Sequence, residues 1–299
     1  MSRRKGRKVS GWINLDKPAG MTSAQAVGRV RHLLQAAKAG HAGTLDPLAT
    51  GVLPIALGEA TKTIPYIVDA AKGYDFTVRW GETRDTDDSE GAVTATSEKR
   101  PDAGEIDAAL VDFIGIIDQV PPRYSAVKID GQRAYALARA GAAVTLAPRE
   151  VEIIELARIG HAPDGAETRF RMVCGKGTYV RALARDLAEK LGACGHIAGL
   201  VRTRVGPFEI GDSISLEKLE RLSHSAAAER ALEPVATALD DIPALAVTES
   251  EAHRLRCGQS LRHPAAQEGT AKATAKGRLV ALVNAHEGVV HPLRVFSLD

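Results

Sequence analysis

The chain has 299 residues, a formal net charge of +2, 44% hydrophobic and 25% charged residues. That length buries a substantial core, as one large domain or a large and a small one, and the composition is that of a soluble globular protein. Cys174, Cys194 and Cys257 form no C-x-x-C pair, and no apolar run approaches a membrane span, which argues against a disulfide framework, a cysteine-rich zinc site and a membrane protein. Residues 2–8 lack the apolar core of a signal peptide, so the cytoplasm is the expected compartment.

Arg3, Arg4, Lys5, Arg7 and Lys8 form a basic arm that reads first as a solvated tail and second as a nucleic-acid contact. A strand over 12–15 and a turn over 17–20 follow. Thr22 and Gln25 have capping-box spacing, and Ala24, Val27, Val30 and Leu34 predict a helix to about Lys38. The stretch 40–62 reads G-H-A-G-T-L-D-P-L-A-T-G-V-L-P-I-A-L-G-E-A-T-K, with Asp46 as the lone acidic residue before its end. Glycines at 40, 43, 51 and 58 permit sharp turns or close approaches. Pro47 pushes Asp46 out of the helical region, offering its carboxylate from a turn. The same Asp-Pro pair also reads as the cap and first residue of a short helix towards Gly51.

Residues 74–80 alternate as a strand, with Tyr74, Phe76, Val78 and Trp80 on one face. Asp85, Asp87, Asp88 and Glu90 lie in what reads as a solvated turn, without the glycine a calcium loop needs. A helix is predicted over 104–115, with Ile106, Leu110 and Phe113 as its stripe, broken off by Pro121-Pro122. The segment 121–141 interleaves Arg123, Lys128, Arg133 and Arg139 with Tyr124 and Tyr135; it reads equally as a solvated basic face or as an RNA contact.

Strands over 151–159 and 168–174 lead into G-K-G-T-Y-V-R at 175–181. Thr178 is the candidate N-cap of a helix carrying Val180, Leu183, Leu187 and Leu191 and stopped by Gly192. Arg181 then sits in the first turn, where the dipole disfavours a cation, so it calls for an anionic partner or is simply an exposed arginine. A strand-like run over 196–208 holds Leu200, Arg202 and Arg204. Short helices over 216–222 and 226–232 precede a linker at 240–243. Beyond it come a helix over 250–257, a loose stretch over 264–277, and strands over 279–284 and 289–296.

The twelve residues 40–51, the opening G-W-I-N-L-D-K-P-A-G-M-T-S, the segment 121–141 and the string K-G-T-Y-V-R resemble the TruB-type tRNA pseudouridine synthases. The resemblance implies an α/β (α+β) fold: a catalytic domain over 1–242 with a bent antiparallel mixed sheet flanked by helices, and a small C-terminal PUA-like RNA-binding β-barrel over 243–299. An RNA-contacting insertion is expected at about 121–149. The resemblance makes Asp46 the nucleophile and stacks Tyr74 on the target uracil. It has His41 help displace the base, Tyr179 lie beside the uracil, Arg181 pair with Asp46, and Leu200 line the pocket. A planar guanidinium fork able to bridge both Asp46 oxygens is expected of Arg181. Tyr179 is also placed to take the C5 proton, although a phenol with pKa near 10 needs help.

The implied reaction is conversion of uridine to pseudouridine in the T-loop of tRNA, usually numbered 55, without metal or other cofactor. The implied partner is tRNA, through its T-arm and T-loop, with no membrane, no obligatory protein partner and a monomeric enzyme. Two further readings are the catalytic subunit of an RNA-guided pseudouridylase, and an RNA-binding or folding module in which catalysis is dispensable.

Overall fold

The structure, a computed structural model, describes residues 6–125, 127–129, 132–133, 135, 145–223 and 227–298. Its main sheet runs, edge to edge, Ile214–Ser215, Gly11–Lys17, Thr50–Leu57, Gly195–Val205, Lys72–Trp80, Glu167–Cys174, Arg149–His161 and Gly115–Gln119. Ala39–His41 pairs beside Thr50–Leu57, and Phe208–Glu209 beside Gly195–Val205. The sheet is mixed: Gly195–Val205 lies parallel to Thr50–Leu57 and antiparallel to Lys72–Trp80.

The alternation of residues 74–80 places Tyr74, Phe76, Val78 and Trp80 in one core with Phe170, Met172 and the apolar stripe of helix Val180–Lys190. Phe76 and Phe170 stack at 5.2 Å. Burial of each such side chain contributes about 2 kcal/mol, which fixes the strand register: a one-residue slip would turn all four outward. A second core joins Trp12, Val52, Ala56, Val205 and Phe208 to Leu279, Leu282 and Phe296 near the C-terminus. There a curled five-stranded sheet, a half-barrel, runs Ala244–Ala246, Gly269–Ala275, Arg278–His286, Val289–Val295, Leu261–Arg262. Helix Glu249–Arg256, capped by a Thr248/Glu251 box, covers its own small core.

Several sequence expectations need correction. The helix of the Thr22/Gln25 capping box runs Ser23–Leu33, not to Lys38, because Gln35 takes a φ of +50° and turns the chain. Helix Ala103–Leu110 ends earlier than predicted and passes through a 3-10 turn. Gly115, at φ +101°, then opens the edge strand Gly115–Gln119, so it is a strand and not the helix that precedes Pro121. Half of the stretch expected to be loose is the strand Gly269–Ala275. Its buried alanines at 273 and 275 gave too weak a period-2 signal. Arg7 is not a free tail residue: its guanidinium pairs with Glu229 and its N–H donates to Gln35 O. Arg3, Arg4 and Lys5 lie outside the described residues. So do residues 136–144 of the expected insertion, Arg139 among them; a short hairpin of Lys128–Ile129 and Gln132–Arg133 is described within it.

Candidate active site

Asp46 sits in an irregular loop leading into strand Thr50–Leu57, and no helix follows it. The helix-cap reading is therefore replaced by the turn reading; Ala49 N donates to Asp46 O at 3.1 Å. The loop is held by donors from elsewhere in the sequence. Ser23 Oγ accepts from Leu45 N (2.8 Å) and donates to Leu45 O (3.0 Å). Lys17, fully buried, donates from Nζ to Met21 O (2.7 Å), Pro18 O (2.9 Å) and Pro47 O (3.3 Å). Gly20 N also donates to Pro47 O, at 2.8 Å. On the other side, buried Arg202 donates to Val52 O, Gly43 O and Thr44 O at 2.7, 3.1 and 3.3 Å. Gly51 has φ +97°, and a Cβ there would lie 2.3 Å from Arg202 O, so only glycine permits this approach. Gly51 thus lets the backbone of Arg202 lie against the strand that follows Asp46. Burial pushes the Lys17 ammonium down to about 8, while the Asp46 carboxylate acts in the opposite direction.

Arg181 enters from the first turn of helix Val180–Lys190. Its Nε donates to Asp46 Oδ2 at 2.9 Å and lies 3.5 Å from Asp88 Oδ2. Its Nη1 donates to Thr86 O (2.7 Å) and its Nη2 to Tyr124 O (3.0 Å). The anion demanded by the dipole argument is present, but the geometry differs from the expected fork: one nitrogen meets Asp46, and the other two lock onto carbonyls. Arg181 is 5% exposed at its side chain and Asp46 35%, so a buried cation holds a carboxylate that stays partly exposed.

The acidic segment 84–90 is the principal site feature that sequence reasoning misplaced. Asp87 and Asp88 are buried, not solvated. Asp88 Oδ1 accepts from Thr86 Oγ1 and Glu90 N, leaving Oδ2 towards Arg181. Asp87 Oδ2 lies 3.3 Å from Arg185 Nη1. Burial pushes the Asp87 carboxyl up to about 6, against the pull of Arg185. The available signal was the spacing of Arg181 and Arg185: two arginines four apart share one face of a helix whose other face is apolar, and cations so placed call for acceptors opposite.

The other candidate residues stand as follows. Thr178 does not cap the helix; Tyr179 is the cap residue. Gln119 clamps it, accepting from Tyr179 N at 2.8 Å and donating to Tyr179 O at 3.2 Å. Burial raises the Tyr179 and Tyr74 phenols, and Asp46 pushes both further in that direction, so both are within its electrostatic reach. Tyr74 pairs across the sheet with Arg202, and Phe76 with Leu200, which puts Leu200 on the face that Arg202 shares. Tyr74 is 8% and Leu200 6% exposed, so both are buried in the apolar core. His41 lies on strand Ala39–His41, opposite Ile55. Burial, then Arg202, push its imidazole below the usual range.

A family model described as TruB family pseudouridylate synthase (N terminal domain) matches residues 31–180. A tRNA pseudouridylate synthase B C-terminal domain matches 181–242, and tRNA Pseudouridine synthase II, C terminal, matches 242–297. Proteins named tRNA pseudouridine synthase B from Rhodopseudomonas palustris and Bradyrhizobium diazoefficiens are each 56% identical over 99% of this chain, covering 83% and 88% of their own lengths. The one from Caulobacter vibrioides is 52% identical, covering 99% of both chains. Among solved structures, a chain of "Crystal Structure of a Cbf5-Nop10-Gar1 Complex" is 26% identical with a TM-score of 0.71, covering 97% of this chain and 84% of that one. A chain of "Structure of H/ACA RNP bound to a substrate RNA containing 2'-deoxyuridine" shares the fold, at 23% identity and a TM-score of 0.75 over 100% and 92%. From the Asp46 loop to the C-terminal sheet, the chain belongs to the TruB family of pseudouridylate synthases.

Proposed function

We propose that Asp46 is the nucleophile with which this tRNA pseudouridine synthase isomerises a T-loop uridine, the one usually numbered 55. The observation that carries this reading is the Arg181–Asp46 contact at 2.9 Å, with the cation buried and the carboxylate open. The guanidinium holds Asp46 Oδ2 in a fixed position, as a nucleophile requires. The reaction exchanges the C1′–N1 bond for a C1′–C5 bond and moves a proton from C5 to N1. Its atoms and electrons balance without a co-reactant. Asp46 attacks either C6 of the ring or C1′ of the ribose; once the C1′–N1 bond is broken the uracil turns beside Tyr74 and Leu200. Extrusion of the base from its stack costs a few kcal/mol, offset in part by aromatic contact. Because burial raises the Tyr179 phenol, its phenolate is scarcer than in water. Tyr179 lies beside the base, and as acceptor of the C5 proton it would need help from a neighbouring group.

In this reading residues 243–299 are the RNA-binding unit, the T-arm is the bound element, and the enzyme is a cytoplasmic monomer. The full-length resemblance to proteins named tRNA pseudouridine synthase B, at over 50% identity, favours stand-alone action over an RNA-guided subunit. A pure binding module would have no use for buried Lys17, Arg181 and Asp88, whose desolvation costs stability. Tritium release from a C5-labelled tRNA transcript tests the proposal: purified protein alone should release it. A transcript with cytidine at the T-loop target should release none, and equal release from both would overturn the site assignment.

A further inference from the structure

The 3-10 turn Gly58–Lys62 continues strand Thr50–Leu57, the strand that Asp46 leads into. Nothing in the isomerisation uses this turn, yet it carries the most specific polar contact between the main sheet and the C-terminal one. Glu59 Oε2 accepts from Lys62 Nζ at 2.7 Å and from Ser297 N at 2.8 Å. Lys62 Nζ also donates to Val295 O at 2.7 Å and stands 5.9 Å from the centroid of the Phe296 ring. Phe296, 1% exposed, is inserted into the core of Trp12, Val52 and Phe208. The turn is closely packed: Gly58 has φ +54°, and a Cβ there would lie 2.3 Å from Val9 O. One charged pair thus grips three successive residues of the C-terminal strand end, from a turn rigidly joined to the catalytic strand.

A partly exposed ion pair contributes little to stability, so its value is geometric. The eight-residue strand spans about 27 Å, from the Asp46 loop to the clasp. Fixing the C-terminal sheet at its far end removes a rotational freedom that RNA binding would otherwise have to freeze, and such preorganisation appears in affinity. We propose that Glu59 and Lys62 are positioning residues that hold the C-terminal sheet at a fixed angle to the Asp46 strand, and so set the affinity for RNA that reaches both. This rests on the reading that residues 243–299 are the RNA-binding unit, and it extends that reading to tRNA contacts beyond the T-arm.

The test compares a whole tRNA transcript with an isolated T-arm hairpin, using Glu59→Ala, Lys62→Met and the conservative Lys62→Arg. For whole tRNA, KM should rise roughly five- to tenfold in Glu59→Ala and Lys62→Met, with kcat within about twofold of wild type. Lys62→Arg, which can still reach both Glu59 and Val295 O, should restore KM. The hairpin should show no change in any variant. An equal KM rise on both RNAs, a fall in kcat, or no change on either would overturn the proposal. Inactivity of the wild type on both RNAs would instead remove the functional reading on which it rests.

Discussion

At the residue scale, the account turns on how many acceptors one guanidinium serves. Arg181 meets Asp46, Asp88, Thr86 O and Tyr124 O together. An ammonium is a point charge with three donors and cannot hold this planar arrangement. Arg181→Lys should therefore keep the fold but lose on the order of 2 kcal/mol of transition-state stabilisation, about thirtyfold in single-turnover rate. Arg181→Met should be slower still, because Asp88, 4% exposed at its side chain, is left beside no cation. Rates within twofold of wild type for both variants would show that the contact is incidental. The need for an anion at Arg181 was legible from its place in the first turn. That the anion is shared between two carboxylates was not, since Asp88 and Arg181 are brought together only by the tertiary fold.

At the element scale, the acidic segment 84–90 shows why local pattern fails. Thr, Ser, Asp and Glu in series look solvated, yet Ile197 N donates to Asp87 O and Ser89 N to Ile197 O, docking the loop on a sheet strand. The loop carries a measurable electrostatic signature. The Asp87 carboxyl is pushed up from its ordinary value to about 6, first by burial. The folded state then binds more protons than the unfolded state between about pH 4 and 6, so this group's contribution to stability falls as pH rises through that window. Asp87→Asn removes the titration. Relative to wild type, its stability should improve between pH 4 and pH 7 by up to about 3 kcal/mol, read from denaturant midpoints at each pH. A constant difference would mean that Asp87 is solvated, and one that shrinks as pH rises would mean that Arg185 outweighs burial; either contradicts the raised pKa. By contrast, residues 74–80 and the capping boxes at Thr22 and Thr248 form because local period and local hydrogen bonding agree with the tertiary result. The strand Gly269–Ala275 was missed because alanine carries no strand signal, and only its burial under helix Glu249–Arg256 explains it.

At the scale of the whole molecule, the two sheets share apolar side chains. Trp12, Val52 and Phe208 pack with Leu279, Leu282 and Phe296, so melting either sheet exposes the core of the other. Lys272 Nζ adds a bond to Leu239 O at 3.0 Å. Calorimetry of the full chain should therefore show one cooperative transition, with calorimetric and van't Hoff enthalpies in agreement. Two resolved transitions would mean that the shared core contributes nothing. The linker-like residues 240–243 gave no hint of this coupling, because a linker's sequence reports its exposure and not what its flanks bury together.

The central claim is that the open carboxylate of Asp46 is the nucleophile, and Asp46→Asn tests it with little change of shape. Single-turnover tritium release from C5-labelled tRNA, at saturating enzyme, should be abolished in pure Asp46→Asn protein. Its affinity for the same tRNA should stay within about threefold of wild type, since a neutral amide keeps the volume but not the nucleophile. Release at a rate approaching that of wild type would contradict the account and return Asp46 to a structural role in its loop.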